Sequence, residues 1–339
     1  MLLKKIMFIL STSFIVLVFL SSVIYYFTTG DVIPEVNLKF ENNQVINPPY
    51  SPIEHFPLGT NNKSNDIFYI ILSGAKYTIG LAILIATLRL VTCLVLGAIA
   101  GTYFYKGLIY IKGLIDGWHY FPTTLAVYLI LHWILIQDAL IDGKFTLTFT
   151  ERIIIQVFVM VCIGIPPLFY LLAREFSYIR ELNFIEGVKV LGGNKTYILF
   201  KHAPKFIIPK LRVIFIQEII HVLLLLVHLG VMGMLLGGSV LTKDLFENEV
   251  FVTLTNEWSG LIGLWSRYIF TTYAWMPFIP IIFLTITILC LQYMVNYLKD
   301  QDILPPTKQN YPQGKKLKLP KNISNHPAQS FVYLQKKGG

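Results

Sequence analysis

The chain has 339 residues, 55% of them hydrophobic and 14% charged, with a mean hydropathy of +0.61. That is too apolar for an ordinary soluble domain and points to a multi-span membrane protein. The net charge of +9 is concentrated in the connections and the tail, so it reads as membrane topology rather than nucleic-acid binding.

Cys93, Cys162 and Cys290 lie far apart inside apolar runs, with no disulfide framework or CxxC metal site, and are expected as small core residues. No Gly-x-x-x-x-Gly-Lys-Ser/Thr loop, HExxH or GxSxG is present, so neither ATP binding of the P-loop type nor a hydrolase is indicated.

Residues 1–27 begin MLLKK and continue apolar from Ile6 to Phe27. About 22 apolar residues suffice to cross a hydrocarbon core, and no cleavage site follows, so an uncleaved first transmembrane helix is expected. Residues 28–75 are polar and Pro-rich and read as an external segment. It closes on HFPLGTNNKSND, in which Asp66 can cap a helix starting at Ile67.

The core, residues 76–298, reads as five further spans. The first, about Tyr77 to Tyr105, carries small residues at Gly80, Ala82, Ala86, Gly97, Ala98, Ala100 and Gly101 that permit close helix contact. Arg89 lies at its middle. A cation at that depth needs a partner or a wet cavity, so it is either a pathway residue or a structural pair with another helix, for example through Glu218. The next span, about Leu114 to Gln137, holds Asp116, His119 and His132 and is expected to kink at Pro122. Residues 138–150 form a short outer connection, and a span from about Ile153 to Leu172 follows.

Residues 174–212 carry eight Lys or Arg between apolar runs and read as a cytoplasmic loop. Phe176, Ile179, Leu182, Ile185 and Val188 recur every third residue, as in an amphipathic helix. It should end at Gly192-Gly193, with Asn194 capping a short second helix through Phe200 and Pro204 and Pro209 breaking the chain before the next span. Helix, sharp turn, helix is a rigid knob, suited to docking on a soluble partner or merely to enforcing topology.

The span from about Val213 to Leu236 carries Gln217, Glu218, His221 and His228. Glu218 and His221 are one turn apart, and His221 and His228 share a face. One helix cannot by itself encircle an ion, so interhelical hydrogen bonding is favoured over a metal site. An outer loop to Ala274 contains NEWSGLIG, and Trp275 opens the entry to the last span; their bland reading is an interfacial aromatic belt, and the last span ends near Tyr297. The tail, residues 299–339, is basic and expected to be flexible and cytoplasmic. Segments assigned inside hold 2, 2, 8 and 8 of the 28 Lys and Arg, which supports about six spans with both termini inside.

Glu186, Gly187, Val188 and Gly192, followed by FKHAPK, resemble the coupling (EAA) loop of bacterial ABC-importer permeases. Gly187-Val188 replaces the usual Ala pair, and Pro204 stands one position early. His55, Leu58, Gly59, Thr60, Asp66, Gly74, Ala75 and Lys76 resemble the segment that follows the first span in the oligopeptide/dipeptide/nickel subfamily, with Asn61 for the usual Asp and Ser64-Asn65 for Gly-Arg. Trp258, Gly260, Trp275 and Pro280 resemble its outer Trp-containing segments.

The resemblance implies an all-α type I importer permease fold in a bacterial cytoplasmic membrane, and transport of peptides. It implies a second permease subunit, two P-loop ATPase subunits that hold ATP and Mg, and an extracellular substrate-binding lipoprotein as partners. It implies no cofactor or catalysis in this chain. Glu186, Gly187, Val188, Gly192, Phe200 and Pro204 become candidate ATPase-coupling residues, and Arg89, His132, Glu218, His221 and His228 candidate pathway residues. A nickel, metal-chelate or other small-solute permease, a permease-like sensor or scaffold, and a secondary transporter are the alternatives.

Overall fold

The computed structural model describes residues 2–37, 39–41, 44–137, 145, 147–243 and 249–301. The tail beyond Gln301 and most of the 138–150 connection lie outside the described residues, as does the side chain of His119.

In chain order the elements are α1 (Leu2–Thr29), β1 (Lys39–Glu41), β2 (Gln44–Ile46), α2 (Ile67–Tyr103), α3 (Leu108–Tyr120), α4 (Thr123–His132), α5 (Phe149–Arg180), α6 (Asn183–Val190), α7 (Lys195–Val231), β3 (Ser239–Lys243), β4 (Glu249–Thr253), α8 (Trp258–Trp265) and α9 (Trp275–Gln301). Helices α1, α2, α5, α7 and α9 are long and apolar enough to cross a membrane. The protein is an all-α membrane-embedded bundle, to which the described strands add two antiparallel hairpins, β1–β2 and β3–β4.

Local chemistry explains where the long helices begin. The Asp66 carboxylate accepts the Phe68 N–H at 2.8 Å and so caps α2, as the sequence suggests. A capping box opens α5: Thr148 Oγ1 accepts the Glu151 N–H, and Glu151 Oε2 accepts the Thr148 N–H at 2.8 Å.

Helices α1 and α2 are antiparallel. Ser22 Oγ accepts the Lys76 N–H at 3.0 Å, and Lys76 Nζ holds both oxygens of Asp31, just past the end of α1, at 2.6 and 2.7 Å. Helices α2 and α5 run parallel. Arg89 meets Met160 and Gly164, Gly97 meets Leu172, and Gly101 meets Ala173 and Phe176. The G-x-x-x-G spacing of Gly97 and Gly101 is the reason for the close approach, because a Cβ at Gly101 would overlap the Ala173 carbonyl. Parallel neighbours oblige the intervening chain to return along the bundle, and it does so as α3 and α4.

That return corrects the expected third span. Instead of one kinked helix over 114–137, the chain begins helix at Leu108, breaks at Phe121-Pro122, and finishes α4 in a π-helical turn, Trp133–Gln137. Pro122 leaves Phe121 extended (φ −80°, ψ 126°), so the break is a gap between two helices rather than a bend in one.

Two further expectations are corrected. The three-residue apolar period from Phe176 to Val188 spans two helices: α5 runs on to Arg180, and extended Leu182 separates it from α6. Pro204 and Pro209 do not break the chain. A π turn, Ile198–His202, precedes them, in which Ala203 N–H reaches back five residues to the Ile198 carbonyl, and this shift of register lets α7 pass Pro204 unbroken. Of the cysteines, all unpaired, Cys93 alone is buried, while Cys162 is exposed.

The main core runs along the middle of the bundle, where Ile85, Leu131, Met160 and Leu223 are fully buried. A second core at the opposite end from α6 gathers Ile67, Ile71, Trp258 and Met276. Trp258 is no part of an aromatic belt. It is fully buried, and its indole N–H donates to the Ile71 carbonyl and its backbone N–H to Thr78 Oγ1, both at 2.9 Å. Glycines admit α8 to this place, since a Cβ at Gly74 would overlap the Asn256 carbonyl and one at Gly263 the Gly230 carbonyl.

Candidate functional site

The end of the bundle where α2 and α5 terminate carries a compact knob, made by α6 and the first turns of α7. Its turn is a full Schellman motif: Gly193 N–H donates to the Val188 carbonyl at 2.9 Å and Gly192 N–H to the Lys189 carbonyl at 3.0 Å. Gly192 has φ +87°, and at Gly193 a Cβ would strike the Val188 side chain. Asn194 Oδ1 then accepts the Tyr197 N–H at 2.7 Å and starts α7.

The knob is fastened to the spanning helices. Ile185 and Ile198 are buried, and Phe176 and Ile179 of α5 pack with Ala203 and Ile207 of α7 in a small core beneath it. Lys189 Nζ donates to the Arg180 carbonyl at 3.0 Å, at the last turn of α5, where a cation suits the helix dipole. The Tyr103 hydroxyl meets Thr196 Oγ1 at 3.0 Å, the Arg180 guanidinium lies 3.2 Å from the Tyr105 ring centroid, and Lys210 pairs with Glu175. Ties to α2, α5 and the connector after α2 leave the knob little freedom to swing alone.

Its far side is apolar and uncovered. Val190 is 87% exposed, Leu191 88% and Phe200 76%. A shallow recess of about 510 Å³ lies beside them, lined by Val188, Leu191, Gly192, Tyr197 and His202 among others. These apolar side chains stand out on a pinned turn and belong to no core cluster of the described residues. Of the six candidate coupling residues, Glu186, Gly187, Gly192 and Phe200 are exposed on the knob, Val188 is half-buried, and Pro204 lies in the first turn after the π segment.

Gly187 is mid-helix in α6 with open space where a Cβ would go. Gly187→Ala is therefore expected to stabilise α6 by about 0.5–1 kcal/mol. Amide exchange over residues 183–190 should slow up to about fivefold, read by mass spectrometry. Unchanged or faster exchange would contradict the open surroundings of Gly187.

The candidate pathway residues divide. Arg89, Glu218 and His221 form one chain across two helices. Arg89 Nη1 donates to Glu218 Oε2 at 3.2 Å, its Nη2 and Nε donate to the Met160 carbonyl at 2.6 and 3.2 Å, and Glu218 Oε1 lies 3.4 Å from His221 Nδ1. Arg89 and Glu218 are buried, whereas the His221 side chain is 64% exposed. The guanidinium fits because Gly164 has no Cβ to obstruct it.

His221 and His228 lie on the same outward face of α7, with Leu224 and Val231. His132 stands apart on α4, against Tyr128 and Trp133, and its Nδ1 is buried without a hydrogen-bond partner among the described residues. Among the described residues no group of three His, Cys, Asp or Glu is placed to hold a metal ion.

The other end of the bundle is built by the residues of the second motif. His55 Nε2 lies 3.1 Å from Asp66 Oδ2, Thr60 Oγ1 accepts the Tyr50 N–H at 2.9 Å, and Gly59 (φ +78°) lies against the Tyr50 carbonyl and the Trp275 ring. Beside it, the wholly buried Glu257 carboxyl accepts the Leu236 N–H at 2.8 Å and the Thr253 and Thr255 hydroxyls, and burial pushes it above the usual carboxylate range. Sequence reading missed Glu257. A lone Glu in a presumed loop gave no sign that α8 would be folded into the bundle.

No family model matches the chain, and no curated protein matches its sequence.

Proposed function

We propose that the chain is the permease subunit of an ATP-driven importer of the ABC type I class, crossing the membrane about six times, with the knob on the cytoplasmic side. The observation that carries this reading is the knob itself: a turn capped at both helix ends, fastened to the ends of α2 and α5, and apolar on its free side. A partner seated on Val190, Leu191 and Phe200 would transmit its displacement to the spanning helices, because the ties beneath the knob leave no slack.

Charge supports this orientation: Lys4 pairs with Asp300 at 2.7 Å, so the start of α1 and the end of α9 lie together, at the same end of the bundle as the Lys- and Arg-rich knob. The third crossing would be made by α3 and α4 together.

The partners in this reading are a second permease subunit against the outward face of α7, two P-loop ATPases beneath the two knobs, and a substrate-binding lipoprotein outside. Polar side chains facing lipid are costly, so His221 and His228 belong against a protein or a wet pathway. The cargo is a peptide or another small solute. The two outward histidines favour a metal chelate as the second reading.

Gly192→Pro tests the coupling role. Proline holds φ near −65° and has no N–H, whereas this position needs φ +87° and donates to Lys189, so the turn should lose about 3 kcal/mol or more. In native membranes solubilised in mild detergent, the natural chain should bring down stoichiometric P-loop ATPases. The variant should reach the membrane but lose the ATPases and uptake together. A natural chain that migrates alone, or a variant with normal uptake, would remove the coupling role.

A further inference from the structure

Between the knob and the ends of α2 and α5 lies a cavity of about 400 Å³, distinct from the exposed docking face. Its floor is apolar, made by Phe176, Ile179, Ile198 and Leu199. Its polar lining is Arg180, Lys189, Lys195, Asn194 and Thr102, and no carboxylate lines it. Three cationic residues thus line an apolar floor with no carboxylate among the lining residues. Lys189 is held at the Arg180 carbonyl, and Lys195 Nζ lies 5.4 Å from the Tyr103 ring centroid. Arg180 Nε is buried and has no hydrogen-bond partner among the described residues, while its guanidinium plane is braced on Tyr105. A buried donor left unmet is costly, and a phosphate would meet it once the guanidinium turns off the Tyr105 ring toward the cavity.

The position narrows the ligand. The cavity opens at the ends of α2 and α5, at Tyr103 and Arg180, on the Lys- and Arg-rich side of the bundle. A charged rim and an oily floor suit an anion that carries a hydrophobic portion. We propose that this cavity binds a phosphate group, presented by an anionic lipid headgroup or as a soluble phosphate. Arg180 would take the phosphate oxygens with its fork, and Lys189 and Lys195 would close on them from the knob side. The bound anion would then join the end of α5 to α6 and to the start of α7. Neither step depends on a partner ATPase, so the site stands or falls separately from the coupling role.

The test uses the full chain in nanodiscs of phosphatidylcholine, alone, with added phosphatidylglycerol, or with inorganic phosphate in the buffer. Amide exchange over residues 183–199 is the readout. Phosphatidylglycerol should slow exchange about tenfold if the lipid headgroup is the source, and inorganic phosphate alone should do so if the source is soluble. Arg180→Gln combined with Lys195→Gln should abolish the protection. Lys201→Gln combined with Lys205→Gln, an equal loss of charge outside the cavity lining, should keep it. Unchanged exchange over α8 in every variant shows that the fold is intact. Protection by neither addition, or protection that survives the double variant, would overturn the proposal.

Discussion

Trp258→Ala is expected to destabilise the protein by about 3–5 kcal/mol, the usual cost of deleting a fully buried aromatic side chain. The indole is enclosed on all sides, with Phe283 at 5.9 Å between ring centroids, and its N–H satisfies the Ile71 carbonyl. Truncation leaves a cavity and removes the second hydrogen bond to the Ile71 carbonyl in the segment that holds α8 against α2. Trp258→Phe should cost less, because most of the volume remains and only the hydrogen bond goes. Equilibrium unfolding in mixed micelles, followed by the loss of helical signal with added denaturing detergent, measures both. A loss below about 1 kcal/mol for the alanine variant would show that α8 is not docked through this residue.

The second large effect belongs to Arg89 and Glu218. Removing one partner of a buried ion pair leaves an uncompensated charge, so Arg89→Met should cost about 3–5 kcal/mol, and Glu218→Met a comparable amount. The double replacement with methionine should recover most of that loss, since two apolar side chains of similar size need no partner there. Additive losses in the double variant would mean that the two groups do not depend on each other, against the 3.2 Å contact.

The same cycle separates the two roles that the sequence leaves open for Arg89. If the double variant regains stability and uptake together, the pair is a structural link between α2 and α7. If it regains stability and not uptake, the chain Arg89–Glu218–His221 serves the pathway. His221→Gln, which keeps a polar side chain on the exposed face of α7, then shows whether the exposed end of that chain is the part that matters.

Turn chemistry was legible because it is local. Gly192-Gly193 followed by Asn194 specifies a Schellman turn and a new helix start within four residues, and Asp66 specifies the start of α2, whatever the rest of the chain does. The same holds for the apolar runs, whose length and composition mark the long helices before any contact is known. The knob was therefore readable as a shape.

What the knob rests on was not readable. Tyr103 with Thr196, and Arg180 with Tyr105, join residues 93 and 75 positions apart, and no period in the chain reports such pairs. Proline misled for the same reason. Pro204 and Pro209 weaken a helix in isolation, yet the π turn at Ile198–His202 and the packing of Ala203 and Ile207 on Phe176 and Ile179 keep α7 whole. Tertiary burial outweighs a local helix penalty of about 3 kcal/mol when a whole face is packed.

From the sequence alone came the membrane class, the long helices, the capped turn and the basic side of the chain, all set by local composition and stereochemistry. Tertiary structure alone decided the parallel seating of α2 on α5, the burial of Trp258 and Glu257 in a stretch that reads as a loop, and the cationic cavity under the knob, whereas the pairing of Arg89 with Glu218 was already one of the two options the sequence offered. Each of these depends on which distant backbones can approach. That approach is permitted by glycines at 74, 97, 101, 164, 230 and 263, whose missing side chains acquire meaning only when the facing helix is in place.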